Sequence, residues 1–127
     1  MGNHVHLLLR EGDEGLSSFM KRVGVRYVWW YNRKYQRTGH LFQDRFRSEA
    51  VETDDYFLAA LRYIYQNPVK AGLCEDIGEY RWSSYGILTP NEDWPLDPPE
   101  VTPELEAFLR ASGEEELLDI DREGRVN

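Results

Sequence analysis

The chain has 127 residues, of which 41% are hydrophobic and 13% aromatic, so it is long and apolar enough to fold around a core of its own. No run reaches eighteen apolar residues and the first apolar run, Leu7–Leu9, is short, which argues against a membrane-spanning helix and a secretory signal. Its single cysteine, Cys74, excludes an internal disulfide and leads us to expect a reducing, cytoplasmic setting.

The net charge of −8 is unevenly distributed along the chain. Residues 83–127 hold twelve acidic and three basic residues, whereas residues 16–48 hold eight basic residues and one acidic residue, Asp44. A basic segment followed by an acidic tail fits local binding of a polyanion, but it equally fits a solvated helix face with a solubilising tail. The basic residues of the segment are Lys21, Arg22, Arg26, Arg33, Lys34, Arg37, Arg45 and Arg47.

The first half of the chain predicts a strand, a helix and a second extended segment. Residues 4–10 read as a short strand, with Val5, Leu7 and Leu9 expected to face the core. Apolar residues at helical spacing predict a helix over 16–37, which Thr38-Gly39 should end. Residues 41–51 are predicted to be extended.

The second half predicts a well-capped helix. Thr53 is a candidate N-cap, because its side-chain oxygen can accept a hydrogen bond from a free backbone N–H of the first turn. The carboxylates of Asp54 and Asp55 would be favourable in that turn. The predicted helix runs over 54–66, with Pro68 stopping or kinking it, and Gly72 should close the following turn.

The remainder is predicted to be mostly irregular. Within residues 77–88, Tyr80, Trp82 and Tyr85 are expected to pack onto the core. Residues 89–103 contain five prolines and predict a linker. Thr102-Pro103 could start a short helix that reaches Leu109, before an acidic end.

Two histidines stand on one side of the predicted first strand. His4 and His6 are two residues apart, and side chains at that spacing point to the same face of a strand. Two neighbouring imidazoles can bind one metal ion through their neutral nitrogens. The pattern alone is weak, since two such histidines are more often structural.

A second polar face lies on the helix predicted over 54–66. Tyr63 is about 200° around the helix from Leu61, so it points away from the centre of the apolar stripe, which contains Tyr65. Asn67 follows Tyr63 by one turn on the same side. Spacing alone favours a rim aromatic and a helix-end cap.

Four segments, taken together, resemble a known family. Residues 2–9 (GNHVHLLL), 39–48 (GHLFQDRFRS), 62–73 (RYIYQNPVKAGL) and 80–85 (YRWSSY) occur in the order and at the spacing of the REP-associated tyrosine transposases, relatives of the single-strand insertion-sequence transposases. The resemblance covers about residues 2–88. It implies an α+β fold of the ferredoxin-like HUH type, an antiparallel sheet with helices packed on one face. It also implies a catalytic domain over 1–88, followed by a linker and acidic tail over 89–127.

The resemblance also implies the site and its chemistry. Tyr63 would be the nucleophile, forming a 5′-phosphotyrosine with single-stranded or hairpin DNA, and His4, His6 and Asn67 would hold a divalent ion. Nitrogen and oxygen ligands suit Mg²⁺ or Mn²⁺ in such enzymes, although ligand type alone also allows zinc or nickel. The expected DNA contacts are Arg45, Arg47, Lys21, Arg22, Arg26, Arg33 and Lys34, and the expected location is the bacterial nucleoid.

Three other functions stay open at this point. The chain could be a catalytically inactive DNA-binding remnant, a metal nuclease that uses water, or an acidic interaction protein. The family has further strands before the first histidine, so we expect a chain truncated at its N-terminus. Its unpaired strand edge would lower its stability or pair with a second copy as a homodimer.

Overall fold

A computed structural model describes residues 4–87 and 101–111. Within them lie three α-helices, which are α1 (Leu16–Lys34), α2 (Asp54–Lys70) and α3 (Pro103–Arg110), and one short 3₁₀ helix over Ser84–Ile87. The chain divides into two compact units. One unit contains residues 4–8, 50–87 and 101–111, and the other contains residues 9–49.

The predicted α+β fold is wrong for the described residues, because they contain helices and no strand. Residues 4–10 and 41–51 lack regular structure, although both were predicted to be extended strands. Alternating apolar and polar side chains indicate a segment that could form a strand. The strand forms only if a second strand lies beside it and pairs with its backbone N–H and C=O groups. Val5, expected in the core, is 76% exposed, and Leu7 and Leu9 are exposed too.

Helix α1 forms where the apolar spacing predicts it, but it ends at Lys34, three residues early. Its first free N–H, on Leu16, donates to the Glu11 carboxylate at 2.8 Å, because the N-cap residue Gly15 has no side chain to accept it. Arg33 and Lys34 in the last turn suit the negative end of the helix dipole.

Helix α2 begins as predicted and continues further than predicted. The Thr53 hydroxyl accepts the Tyr56 N–H at 3.1 Å, which confirms the N-cap. The helix continues through Pro68 to Lys70, because a proline near a helix end removes only one intrahelical hydrogen bond.

The end of α2 has the hydrogen bonds of a Schellman motif. The Leu73 N–H donates to the Pro68 carbonyl and the Gly72 N–H donates to the Val69 carbonyl, each at 2.9 Å. Gly72 has a φ of 71°, a left-handed conformation that glycine adopts at little cost. The prediction that Gly72 closes this turn is confirmed.

The core of the first unit joins α2 to α3. Tyr65, Ile77, Tyr85 and Leu109 form a buried cluster. The Thr102-Pro103 start of α3 is confirmed, since the Thr102 hydroxyl accepts the Leu105 N–H at 3.2 Å. Tyr85 packs into the core as predicted and Tyr80 is half-buried, but the prediction for Trp82 is wrong, because that side chain is 74% exposed. Most of the predicted linker, residues 89–100, lies outside the described residues, as does the acidic tail after residue 111.

Candidate active site

Helix α2 directs two tyrosines, two residues apart, to different environments. Tyr65 lies in the core cluster, where its hydroxyl and that of Ser84 form a hydrogen bond of 3.0 Å. Tyr63 is 6% exposed but lies outside that cluster, beside the ring of His6. Tyr65 belongs to the apolar stripe as predicted, and Tyr63 lies outside the core cluster. Burial of Tyr63 is deeper than the rim position that helical spacing predicted.

Three aromatic rings form a chain at this place. The ring centroids of His4 and His6 are 5.0 Å apart, and those of His6 and Tyr63 are 5.7 Å apart. Both contacts are edge-to-face, with interplanar angles of 88° and 87°. His4 is exposed and His6 is half-buried, so the histidine pair extends from solvent towards the tyrosine.

The spacing of the two imidazoles fits two ligands of one metal ion. With a metal–nitrogen bond of about 2.1 Å, each ring centroid lies about 3.2 Å from the ion, and two such ligands at angles between about 90° and 110° have centroids about 4.5–5.2 Å apart. The observed 5.0 Å between His4 and His6 lies in that range, and it equally fits an ordinary edge-to-face contact between two aromatic rings.

Asn67 is the third ligand that the resemblance implies. Among the described residues no group of three or more His, Cys, Asp or Glu side chains is placed to hold a metal ion. Asn67 lies one turn after Tyr63 on α2 and is half-buried. Its backbone carbonyl accepts the Ala71 N–H at 2.9 Å, so the helix that carries it is continuous at this position.

The comparisons with known proteins identify a family. The family model for IS200-like transposases matches residues 1–67, more than half of the chain. The chain belongs to this family. The match includes His4, His6, Tyr63 and Asn67.

A relative of this chain is a protein of Haemophilus influenzae described as a putative REP-associated tyrosine transposase, 28% identical over 106 residues. The alignment covers 75% of this chain, and the chain spans 60% of the length of that relative. No solved structure matches the transposase. Both matches confirm the family that the sequence motifs indicated.

The basic residues predicted to contact DNA lie in the other unit of the chain, within residues 9–49. All of them are exposed, and Arg22 forms an ion pair with Glu14. Arg45 and Arg47 lie on the segment that is not a strand, so the shared face expected from strand geometry does not follow. The exposed residues are Lys21, Arg22, Arg26, Arg33, Lys34, Arg45 and Arg47.

Two contacts that hold the helix carrying Tyr63 against α3 were not predicted from the sequence. The buried Gln66 amide donates to the Leu109 carbonyl at 2.7 Å, and the Arg62 guanidinium lies 4.1 Å from the centre of the Phe108 ring. Gln66 and Arg62 flank Tyr63 in sequence, and neither residue type marks such a role. These contacts fix the helix that carries Tyr63 and Asn67.

A charged group supports α3 near its end. Arg110 forms ion pairs with Asp76 and with Glu106, the latter at 3.2 Å. The Gly78 N–H, which donates to Asp76 at 2.8 Å, and then Arg110 hold the pKa of Asp76 below its usual value. Burial raises the pKa of the neighbouring Cys74 thiol, and Glu79 and Asp76 add to that rise. Cys74 is therefore protonated at neutral pH and a poor nucleophile.

Among the described residues no helix is long and apolar enough to cross a membrane. The predictions of a bacterial nucleoid location and of a homodimer remain predictions.

Proposed function

We propose that this transposase cuts and rejoins single-stranded or hairpin DNA with Tyr63 as its nucleophile and a divalent ion held beside it. The observation that carries the proposal is the contact between Tyr63 and His6, with ring centroids 5.7 Å apart. It joins the candidate nucleophile to a histidine pair whose spacing suits one ion. Membership of a transposase family supplies DNA as the partner.

The reaction exchanges one phosphate ester for another. The phenolic oxygen of Tyr63 attacks the phosphorus and forms a new P–O bond, while the bond from phosphorus to the 3′ oxygen breaks. The phenol loses its proton and the leaving oxygen gains one, which leaves a 5′-phosphotyrosine and a free 3′-hydroxyl. Because the ester bond is kept, a 3′-hydroxyl can attack it and rejoin the strand without ATP.

His4, His6 and Asn67 would hold the ion. Two imidazoles and an amide oxygen are compatible with Mn²⁺ or Mg²⁺. When bound, such an ion supplies Lewis acidity and a template for the phosphate. Tyr63 and Asn67 are one turn apart on a single continuous helix, so α2 fixes their spacing.

The basic residues of 9–49 would bind phosphates of the DNA backbone. Arg45, Arg47 and the bases of α1 are exposed, as contacts to a DNA backbone require. These contacts would be sensitive to salt, because each one releases a counterion.

The test is covalent capture of DNA. The full chain is incubated with a labelled single-stranded hairpin and Mn²⁺, and we expect a band that survives denaturation and disappears with protease. Tyr63→Phe removes one hydroxyl and should abolish the band. Tyr65→Phe is the matched control, since its hydroxyl bonds to Ser84 and should be dispensable for attachment.

The outcomes separate this proposal from its rivals. Cleavage without a covalent band would indicate a nuclease that uses water, and binding with neither would indicate a DNA-binding remnant. A persistent band with Tyr63→Phe would contradict the assignment of the nucleophile.

Metal binding is measured separately by calorimetry with Mn²⁺. The double variant His4→Ala, His6→Ala should lose affinity well beyond the roughly 10–100-fold typical of residues that only support a ligand. Asn67→Ala should lose less. His40→Ala, an exposed histidine of the other unit, is the control and should bind as the wild type does.

A further inference from the structure

A continuous row of aromatic rings runs along α1 in the unit of residues 9–49. We name it the aromatic ladder. The Tyr27 ring is tilted against its neighbours Trp30, Tyr31 and Phe42, with centroid distances of 5.7, 6.0 and 6.2 Å. The ladder continues from Tyr31 to Tyr35 at 4.5 Å. Interplanar angles lie between 31° and 47°.

Cations lie beside three rings of the ladder, Trp30, Tyr31 and Tyr35. The Lys34 ammonium lies 4.8 Å from the centre of the Trp30 ring and 5.3 Å from that of Tyr35. The Arg37 guanidinium lies 5.6 Å from the centre of the Tyr31 ring. The Lys34 and Arg37 side chains therefore lie at distances from these rings that are typical of cation–π contacts.

The ladder is a surface of its unit. Trp30 is 46% exposed, Tyr27, Tyr35 and Phe42 are exposed to similar degrees, and α1 has no buried residue. Large aromatic rings are costly to leave in water, so an exposed row of them on a helix indicates a binding surface.

We propose that the aromatic ladder is a stacking surface for the bases of unpaired DNA. A base stacks on a ring through its flat face, while the phosphate beside it meets a cation such as Lys34 or Arg37. Residues 16–48 carry eight basic residues and one acidic residue, which complements a polyanion. The proposal rests on the proposed function for its partner, single-stranded DNA, and adds where and how the bases are held.

The combination of aromatic rings and cations favours binding of unpaired DNA over duplex DNA. In a duplex the faces of the bases are covered by their neighbours, so a duplex could use the cations of this surface but not its rings. An unpaired strand can use both, because every base offers a flat face regardless of sequence. Binding should therefore prefer single strands and depend little on base order.

The test measures affinity without chemistry. A fluorescent oligonucleotide of about twelve thymidines is titrated with the full chain in a Tyr63→Phe background with EDTA, and binding is followed by anisotropy. Trp30→Ala should weaken binding about ten-fold, the scale expected for loss of one stacked base. Trp30→Phe keeps an aromatic face and should retain most of the affinity. Circular dichroism checks that each variant is folded.

Trp82→Ala is the matched control. Trp82 is exposed and has an arginine partner, since the Arg81 guanidinium lies 4.3 Å from the centre of its ring, but it belongs to the other unit. It should bind as the background protein does. Lys34→Gln should reduce the slope of log affinity against log salt by about 0.7, the value for one phosphate contact on a single strand.

Two results would overturn the proposal. One is equal loss of affinity for the thymidine strand and a matched duplex on Trp30→Ala, since a stacking role affects only the single strand. The other is unchanged DNA affinity together with a change from dimer to monomer in light scattering, which would make the ladder a contact between copies. Neither measurement depends on Tyr63 or a metal ion, so loss of the proposed chemistry would leave this result readable.

Discussion

Replacement of Gln66 by methionine should destabilise the protein by removing one buried hydrogen bond. The Gln66 amide donates to the Leu109 carbonyl at 2.7 Å, and Leu109 is 0% exposed. α3 ends at Arg110, so the Leu109 carbonyl is among the last four of the helix, which lack intrahelical donors. Methionine keeps the length and apolar bulk of glutamine but cannot donate, so the carbonyl stays buried and unbonded.

The magnitude follows from that unmet acceptor. A buried polar group that loses its partner costs about 1–3 kcal/mol, more than the net worth of the bond itself. We expect the free energy of unfolding in urea to fall by this amount, with an unchanged slope against urea concentration. Gln43→Met, the same change at an exposed glutamine, is the control and should alter stability by less than about 0.5 kcal/mol. If Gln66→Met stays within that margin as well, the bond does not hold α3 to α2 as described.

Two further predictions concern the N-cap of α2 and the Asp76 carboxylate, which pairs with Arg110 at the end of α3. Thr53→Ala removes the cap that accepts the Tyr56 N–H, and should lower the free energy of unfolding by about 1 kcal/mol, whereas Thr53→Ser keeps the acceptor and should restore most of it. The pKa of Asp76 is lowered by Gly78 and Arg110, so its stabilising effect is present above the unfolded pKa near 3.9 and lost as the pH falls through the lower folded pKa. Urea midpoints of the wild type and Asp76→Asn should therefore differ at about pH 7 and converge by about pH 2, and a gap that stays constant with pH would contradict this.

The helices were predictable because their signals are local. Thr53 caps α2 and Thr102-Pro103 opens α3 through contacts within three or four residues, and such patterns are visible in sequence. The predicted sheet was wrong for the described residues, because strand signals are not local in the same way. Residues 4–10 alternate as a strand does, but pairing depends on what lies beside them, which alternation does not report.

The candidate site was found by motif rather than by spacing. Helical periodicity separated Tyr63 from Tyr65 correctly, yet a tyrosine on a helix face has no chemistry of its own. Spacing singled out His4 and His6 only weakly, the family motifs joined them to Tyr63, and the structure places His6 beside the Tyr63 ring. The role of Gln66 was not predicted, because its partner is a backbone carbonyl. Every residue has a backbone carbonyl, so the sequence does not indicate which one accepts the bond.

The hydrogen bond from Gln66 to Leu109 spans 43 residues, and this separation sets an order of events during synthesis. When α2 has been synthesised, the core cluster that packs against its apolar stripe still lacks Leu109. At about 5–20 residues per second, a ribosome needs roughly 2–9 s to add the missing stretch. During that delay the apolar stripe of α2 has no partner from α3, so a nascent chain should be open to chaperones and proteases until α3 is released.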